Sequence, residues 1–514
     1  MISEKTRKAF KAEAENYLGS KSLGALRNYG RKIGVYAPTK QNKGELVEQI
    51  VEILAGEREP VPQSKLGAPI LDDTVDPRIV EEMSRLSMLH FSGSAEEAEA
   101  KTEEPKEDGF DVEAYNAFRN AYKKLQANKV ELRLSDPDAE EFEGEVRKVH
   151  VGQLRILDNV PRLLQLDCPK TGEQIAVSNE FVRHYDLHEG DVVSCYARKS
   201  NNIYVAMTIL EVNGTKAEDF YRNRFEECDA CYPYKRIKTC DGGKFTSVTH
   251  KFFEWLSPIG RGQRGLVISV PKAGKTCLLQ QLAESIAYLN EDVTVLALLV
   301  DQSPEAVGAF RKLLPRENIL YTTYEEDATR QMFVAEFALH RAKAFVECGK
   351  DVVLIVDSFN ALARAYNETN DSPQGKTLAC GLESATVHYL KKYFGTARCL
   401  EKSGSLTVIG GVAIGTGNPA DDVIASELSP LANLEIRLSQ ELAYHRVFPA
   451  LDISKIRMTQ NEELQGLEGE RLVSLLRNEI LAKRGAEYVH QMLQEADSYA
   501  AFITAVKKEL NGNR

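Results

Sequence analysis

Gly260–Thr276 reads GRGQRGLVISVPKAGKT. The apolar run Leu266, Val267 and Ile268 suits a strand buried on both faces, Pro271–Lys272–Ala273–Gly274–Lys275–Thr276 a tight loop, and Cys277–Leu289 a helix. In that helix Leu278, Leu279, Leu282 and Ile286 recur at helical spacing. Strand, loop and helix in this order make a phosphate-binding frame. Backbone N–H groups at the helix N-terminus wrap the phosphates, a lysine reaches the β- and γ-phosphates, and a hydroxyl holds magnesium. Lys275 and Thr276 stand at the last two positions. Ser269 replaces the first glycine of the G-x-x-x-x-G-K-[ST] pattern, so only its phosphate-binding half is intact.

Downstream, apolar strand patterns at Leu266–Val270, Val293–Asp301, Asp351–Ser358, Ser405–Ile414 and Leu434–Ser439 alternate with helical patterns, notably Thr329–Cys348 and Leu378–Tyr393. That alternation predicts a mostly parallel sheet with helices on both faces, an α/β nucleotide-dependent motor domain over 259–514. Val352–Asp357 is an apolar strand ending in an acid, placed to complete a magnesium shell beside Thr276. Read alone, Asp357 is also compatible with a plain strand-end cap.

At 514 residues the chain exceeds one core and calls for about three domains. Residues 1–56 read as a small N-terminal helical module, with helices at Glu4–Tyr17, Leu23–Ile33 and Lys43–Leu54. Its basic residues (Lys21, Arg27, Arg31, Lys32, Lys40, Lys43) suit either a nucleic-acid contact or a solvated face. Residues 57–138 form a proline-containing and then acidic linker, with short helices at Arg78–Leu89 and Val112–Ala127. Over 139–215, short β-rich runs at Gly144–Val149, Gln153–Leu157, Gln174–Val177, Asp191–Ala197 and Tyr204–Leu210 predict a small OB-type β-barrel, a fold that binds single strands on stacked aromatics. Residues 216–258 connect barrel and motor.

A hydrophobic content of 43% with 27% charged residues is ordinary for a soluble chain, and no apolar run approaches a bilayer span. Met1–Lys5 also lacks a signal-peptide core, so the expected location is cytoplasmic, away from membranes. A net charge of -11 excludes coating of nucleic acid by bulk charge. Cys228-x-x-Cys231, Cys240 and His250 have irregular spacing with no second C-x-x-C, and no zinc site is expected there.

SPIGRGQRGLVISVPKAGKT, LARAYN (Leu362–Asn367), the Thr416–Ile424 segment and HRVFPALD (His445–Asp452) together resemble the bacterial transcription termination factor Rho family, densely over the motor and more loosely over the barrel. The resemblance implies a RecA-like motor in a homohexameric ring that threads single-stranded RNA, uses ATP and Mg2+, and releases transcripts from the RNA polymerase elongation complex. It implies a nucleotide pocket of Gly260, Arg261, Gly262, Gln263, Arg264, Gly265, Lys272, Ala273, Gly274, Lys275, Thr276, Cys277 and Ser303, with Asp357 and Thr276 on magnesium. Arg446 looks like an arginine finger given to a neighbour, although by its residues alone it is equally a surface arginine before a turn.

The departures are specific. Where the family has a catalytic glutamate followed by arginine, this chain has Gln302 and Ser303; Ala361 stands where an arginine is expected. Gly375–Lys376 fits the first RNA-contacting loop, whereas the second carries Pro419 in place of a lysine. The family's stacking positions in the barrel fall on Val151, Gln153 and Ala176, leaving Arg155 and Tyr204, with Lys376 in the channel, as the expected RNA contacts. Two functions follow: an RNA-dependent ATPase and helicase, or a ring or regulatory subunit that binds ATP and hydrolyses it slowly, since glutamine orients water but takes no proton.

Overall fold

The structure is a computed structural model. It describes residues 148–512 apart from 158, 168–173, 201–202, 371–377, 379 and 460, and parts of the first 83 residues. The chain divides into two units, Met1–Glu107 and Asp108–Arg514. The expected helices at Arg78–Leu89 and Val112–Ala127, the strand at Gly144–Val149 and the loop residue Lys376 lie wholly or mostly outside the described residues.

In the first unit, helices α1 (Leu23–Ile33) and α2 (Lys43–Leu54) bury Leu26, Tyr29, Leu46, Val47, Ile50 and Val51 together. Asn42 and Glu45 close the start of α2 reciprocally: the Glu45 N–H donates to Asn42 Oδ1 (3.0 Å) and the Asn42 N–H to Glu45 Oε2 (3.3 Å), which satisfies two orphan donors.

The second unit opens with five strands, β1 (Val149–Leu157), β2 (Val160–Leu164), β3 (Ile175–Ala176), β4 (Val192–Ser200) and β5 (Ile203–Val212). β1 pairs with β2 and β4, β4 with β5, β5 with β3 and β3 with β2, so the ladder closes on itself. Its centre holds Leu154, Leu163, Ile175, Phe181, Val193, Cys195, Ala206 and Ile209. The sequence pattern did not give β2, whose VPRLL lacks alternation because all five residues are buried.

The motor sheet has six parallel strands in the order β8-β7-β9-β10-β6-β11, where β6 is Arg264–Ser269, β7 Val293–Gln302, β8 Ile319–Thr323, β9 Asp351–Asp357, β10 Ser405–Ala413 and β11 Leu434–Leu438. Short antiparallel strands flank it. Alternate residues feed two separate cores. Val267, Val295, Leu299, Val353, Ile355, Ile409 and Ile436 face one side, with α3 (Lys275–Leu289) and the C-terminal helices. Leu266, Ile268, Leu298, Val300, Leu354, Val356 and Val408 face the other, with α5 (Ala328–Glu347), α6 (Phe359–Thr369), α7 (Ser384–Gly395) and α8 (Pro419–Leu428). Burial on both faces is why these strands read as unbroken apolar runs. Among the described residues no helix is long and apolar enough to cross a membrane.

Barrel and motor meet along α5. Gln153 Nε2 donates to the Phe337 carbonyl (2.8 Å), Arg341 Nε donates to Gln153 Oε1 (2.7 Å) and Arg341 Nη2 to the Leu166 carbonyl (2.8 Å). Arg222, in the connector, joins Asp191 of the barrel (2.5 Å) to Glu347 at the end of α5 (2.6 Å).

Candidate functional site

The carboxyl ends of β6, β9 and β10 meet where the strand order reverses, the place where open α/β sheets bind ligands. The loop after β6 turns through Lys272 (φ 64°) and Gly274 (φ 92°) and hands over to α3 at Lys275. Lys272 stays within the small left-handed region open to side chains, whereas Gly274 lies beyond it, where glycine is favoured. Ser269–Cys277 line a cleft of about 600 Å³ together with Ser358, Asn360, Arg364, Ala413, Thr416 and Asp421.

Three predicted residues converge in it. Asp357, at the end of β9, is fully buried; its Oδ2 accepts from Thr276 Oγ1 (2.6 Å) and its Oδ1 pairs with Lys275 Nζ. The lysine stem lies across β10 at Gly411, where a Cβ would come within 2.7 Å of Lys275 Cδ. Gly411 thus gives the lysine its path. A buried carboxylate and a hydroxyl at hydrogen-bond distance are hard oxygen donors of the kind magnesium uses alongside phosphate oxygens and water, so these residues fit the ion.

Gln302 ends β7 beside this group. Its Nε2 donates to the Asp357 carbonyl (3.2 Å) and to the Val300 carbonyl (3.3 Å). Ser303 caps the helix α4 (Pro304–Phe310), its hydroxyl accepting from the Ala306 N–H (3.3 Å).

Residues 250–455 match the ATP synthase alpha/beta family nucleotide-binding domain. Transcription termination factor Rho of Escherichia coli (strain K12) is 39% identical over 298 residues, covering 57% of this chain and 70% of the relative. Rho of Buchnera aphidicola subsp. Acyrthosiphon pisum is 38% identical over 304 residues, covering 58% and 72%. The chain belongs to the Rho family. A solved ATPase from a bacterial type III secretion system is also similar, at 21% identity and a TM-score of 0.44 over 55% of this chain and 86% of that one.

As a Rho-family chain with this domain it is a P-loop ATPase, and its structure corrects several expected positions. Gly260, Arg261, Gly262, Gln263, Arg264 and Gly265 do not line the cleft; they sit at the amino end of β6, the opposite edge of the sheet from the P-loop. There they build a buried turn. Arg261 pairs with Asp351 and with Asp292 (2.7 Å), Arg264 Nε donates to the Leu431 carbonyl (2.6 Å), and Gln263 Oε1 accepts from the Gly260 N–H (2.6 Å). Ser303 does not line the cleft either, because its hydroxyl is the cap of α4.

In the barrel, Arg155 and Gln153 share the face of β1 that docks on α5. Arg155 Nη1 contacts His340 Nδ1 (2.7 Å) and Glu189 Oε2 (3.4 Å), and its guanidinium lies over the Phe333 ring, so it is engaged by protein where an RNA contact was expected. Ala176 is fully buried. Tyr204 is half-exposed, with the His150 ring at 5.2 Å and Lys199 Nζ 5.9 Å from its centroid. Cys228, Cys231, Cys240 and His250 occupy different surroundings. Cys231 is in an edge strand, Cys240 is beside Glu254, and the His250 ring is against Phe245 and Ser247.

Sequence reasoning missed two cleft features. One turn beyond Ala361 on α6, Arg364 reaches the cleft, its Nη1 3.5 Å from Asp421 and its Nη2 3.8 Å from Asp301. Its only signal in the sequence is the arginine of LARAYN, three residues beyond Ala361. Phe448 is 59% exposed, and its ring edge lies 3.9 Å from where a Cβ on Gly274 would stand. An aromatic at the rim of a phosphate loop offers a flat face to a nucleotide base.

Arg446 is exposed, has a φ of 58° and follows helix α9 (Gln440–Tyr444), outside the cleft of its own chain. Its neighbour His445 contacts Glu487 through Nδ1 (2.7 Å), a contact that holds the imidazole pKa above its ordinary value.

Proposed function

We propose that this chain is a Rho-type motor subunit: it binds ATP and Mg2+ in the cleft after β6, assembles as a homohexamer around single-stranded RNA, and acts on the RNA polymerase elongation complex with slow intrinsic hydrolysis. The observation that carries the reading is the convergence of Lys275 and Thr276 on buried Asp357. Lys275 is positioned for the β- and γ-phosphates, the loop N–H groups for the phosphate oxygens, and Phe448 for the base. Thr276 and Asp357 would hold magnesium, which neutralises charge on the phosphates when bound. Arg446, facing outward, serves a neighbour's nucleotide.

Hydrolysis is slow because Gln302 accepts no proton. It orients water through its amide, and the loss of a general base is worth roughly 10² to 10⁴ in rate. Gln302 also favours the second reading, in which the chain is chiefly an ATP-binding regulatory ring member. RNA contact is assigned to Lys376 by the family resemblance and to Tyr204 with Lys199 on the OB-type barrel.

The test is steady-state ATP hydrolysis with and without single-stranded RNA, beside Gln302→Glu. Stimulation of the unaltered chain by RNA supports the motor. Background turnover that Gln302→Glu raises supports the regulatory ring, and failure to bind ATP at all would remove both.

A further inference from the structure

In the connector between barrel and motor, a short strand at Ala230–Cys231 pairs antiparallel with Arg398–Leu400, and the register sets Cys231 directly opposite Cys399. Opposed Cα atoms in such a ladder lie about 4.5–5.5 Å apart. A disulfide spans Cα separations of about 4.4–6.8 Å. Both residues are free thiols; Cys399 is buried and Cys231 half-exposed. Burial, and after it the neighbouring Cys231 thiol, pushes the Cys399 pKa up to about 12.

We propose that Cys231 and Cys399 are a reversible disulfide site, closed by a peroxide and reopened by a dithiol. The more accessible Cys231 sulfur attacks one peroxide oxygen. The O–O bond breaks, the other oxygen leaves as water with the thiol proton, and Cys231 becomes a sulfenic acid. The Cys399 sulfur then displaces that hydroxyl as a second water, forming the S–S bond. Two thiols supply the two electrons that reduce the peroxide. Peroxide reaches the half-exposed Cys231 first, and Cys399, buried opposite it, is the neighbouring thiol in register to resolve the sulfenic acid, its proton leaving with the displaced hydroxyl as water.

The bond would tie the connector to the sheet. The same connector carries Arg222, which joins the barrel's Asp191 to Glu347 on α5, so oxidation fixes the segment on which the barrel's seat depends. Arg398–Leu400 pairs with the amino end of β10, the edge of the sheet opposite the ATP cleft. Oxidation therefore stiffens the connector and leaves nucleotide binding unchanged.

Cys228, three residues before Cys231, is the competing partner. The test treats the native full-length chain with hydrogen peroxide, alkylates the remaining thiols and maps peptides without reduction. The expected result is loss of two thiols per chain and a cross-linked peptide pair carrying Cys231 and Cys399, reversed by dithiothreitol. The cross-link should be abolished in Cys231→Ser and retained in Cys228→Ser. Oxidised Cys228→Ser should also melt at a higher temperature than its reduced form, with the same affinity for an ATP analogue. A Cys228–Cys231 link, over-oxidation of Cys231 without a link, or unchanged thiol content would each overturn the proposal. Because Cys231 is half-exposed, its serine variant is not at risk of misfolding as Cys399→Ser is.

Discussion

Gln302 holds its amide against the Asp357 carbonyl, so its side chain is anchored beside the carboxylate on which Lys275 and Thr276 converge. A glutamate at the same place keeps the reach and gains proton-accepting capacity. Gln302→Glu is predicted to raise ATP turnover by roughly 10²-fold or more, with little change in nucleotide affinity. Equal turnover in the two proteins would show that Gln302 is not the limiting residue. Arg364 makes a separate prediction. Its pairs with Asp301 and Asp421 are long, 3.8 and 3.5 Å, so the guanidinium is available to an incoming phosphate. Hydrogen bonds to charged groups contribute about 1.5–3 kcal/mol, so Arg364→Ala should weaken binding of a fluorescent ATP analogue on the order of tenfold or more. An unchanged Kd would remove Arg364 from the site.

Elements show which parts of this structure a sequence discloses. The parallel strands and α3 are legible because each is a continuous apolar run or a helical repeat whose burial is local and complete. The start of β6 is less so: the family resemblance puts GRGQRG in the nucleotide pocket, yet its contacts are with Asp351, Thr407 and the backbone of Cys399, all brought from far along the chain. The face of β1 was misread for the same reason. Gln153 and Arg155 alternate as an exposed strand face should, and only α5, nearly two hundred residues later, covers them. That docking rests on a buried ion pair. The side chains of Arg222 and Asp191 are 3% and 0% exposed. Arg222→Met leaves the buried Asp191 carboxylate without its counter-charge, with only the His188 N–H and the Asn213 amide still bonded to it, and should destabilise the barrel-to-motor seat by about 3–5 kcal/mol, seen as an earlier urea transition. Coincident transitions in the two proteins would contradict it. On the loop after α9, His445 meets Glu487 of the helix Ala486–Glu495, which raises the imidazole pKa, so their ion pair is fully formed just below the ordinary imidazole pKa and is lost as pH rises through the raised value. NMR titration should place His445 above about 6.5, and Glu487→Gln should bring it down.

At the scale of the whole molecule, the question is whether one chain contains a complete catalytic site. The cleft is lined by Lys275, Thr276 and Arg364 over the buried Asp357, while Arg446 is exposed, lies outside that lining and has no ion-pair partner among the described residues. If subunits close into a ring, each cleft receives the Arg446 of the next chain, and an arginine finger of this kind is worth about 10³–10⁵ in rate. Lys275→Ala and Arg446→Ala, each in a Gln302→Glu background that supplies a measurable signal, should then be inactive when assembled alone. Mixed before assembly they should recover part of the activity. An Arg446→Ala chain still offers an intact Lys275, and a Lys275→Ala neighbour still offers an intact Arg446, so a fraction of the interfaces is complete. If Arg446 served the cleft of its own chain, every site in the mixture would lack one group and activity would stay at background. Assembly checked by light scattering separates that outcome from a failure to form rings. Recovery of turnover in the mixture therefore locates the working site between subunits, and its absence in properly assembled rings locates it within one.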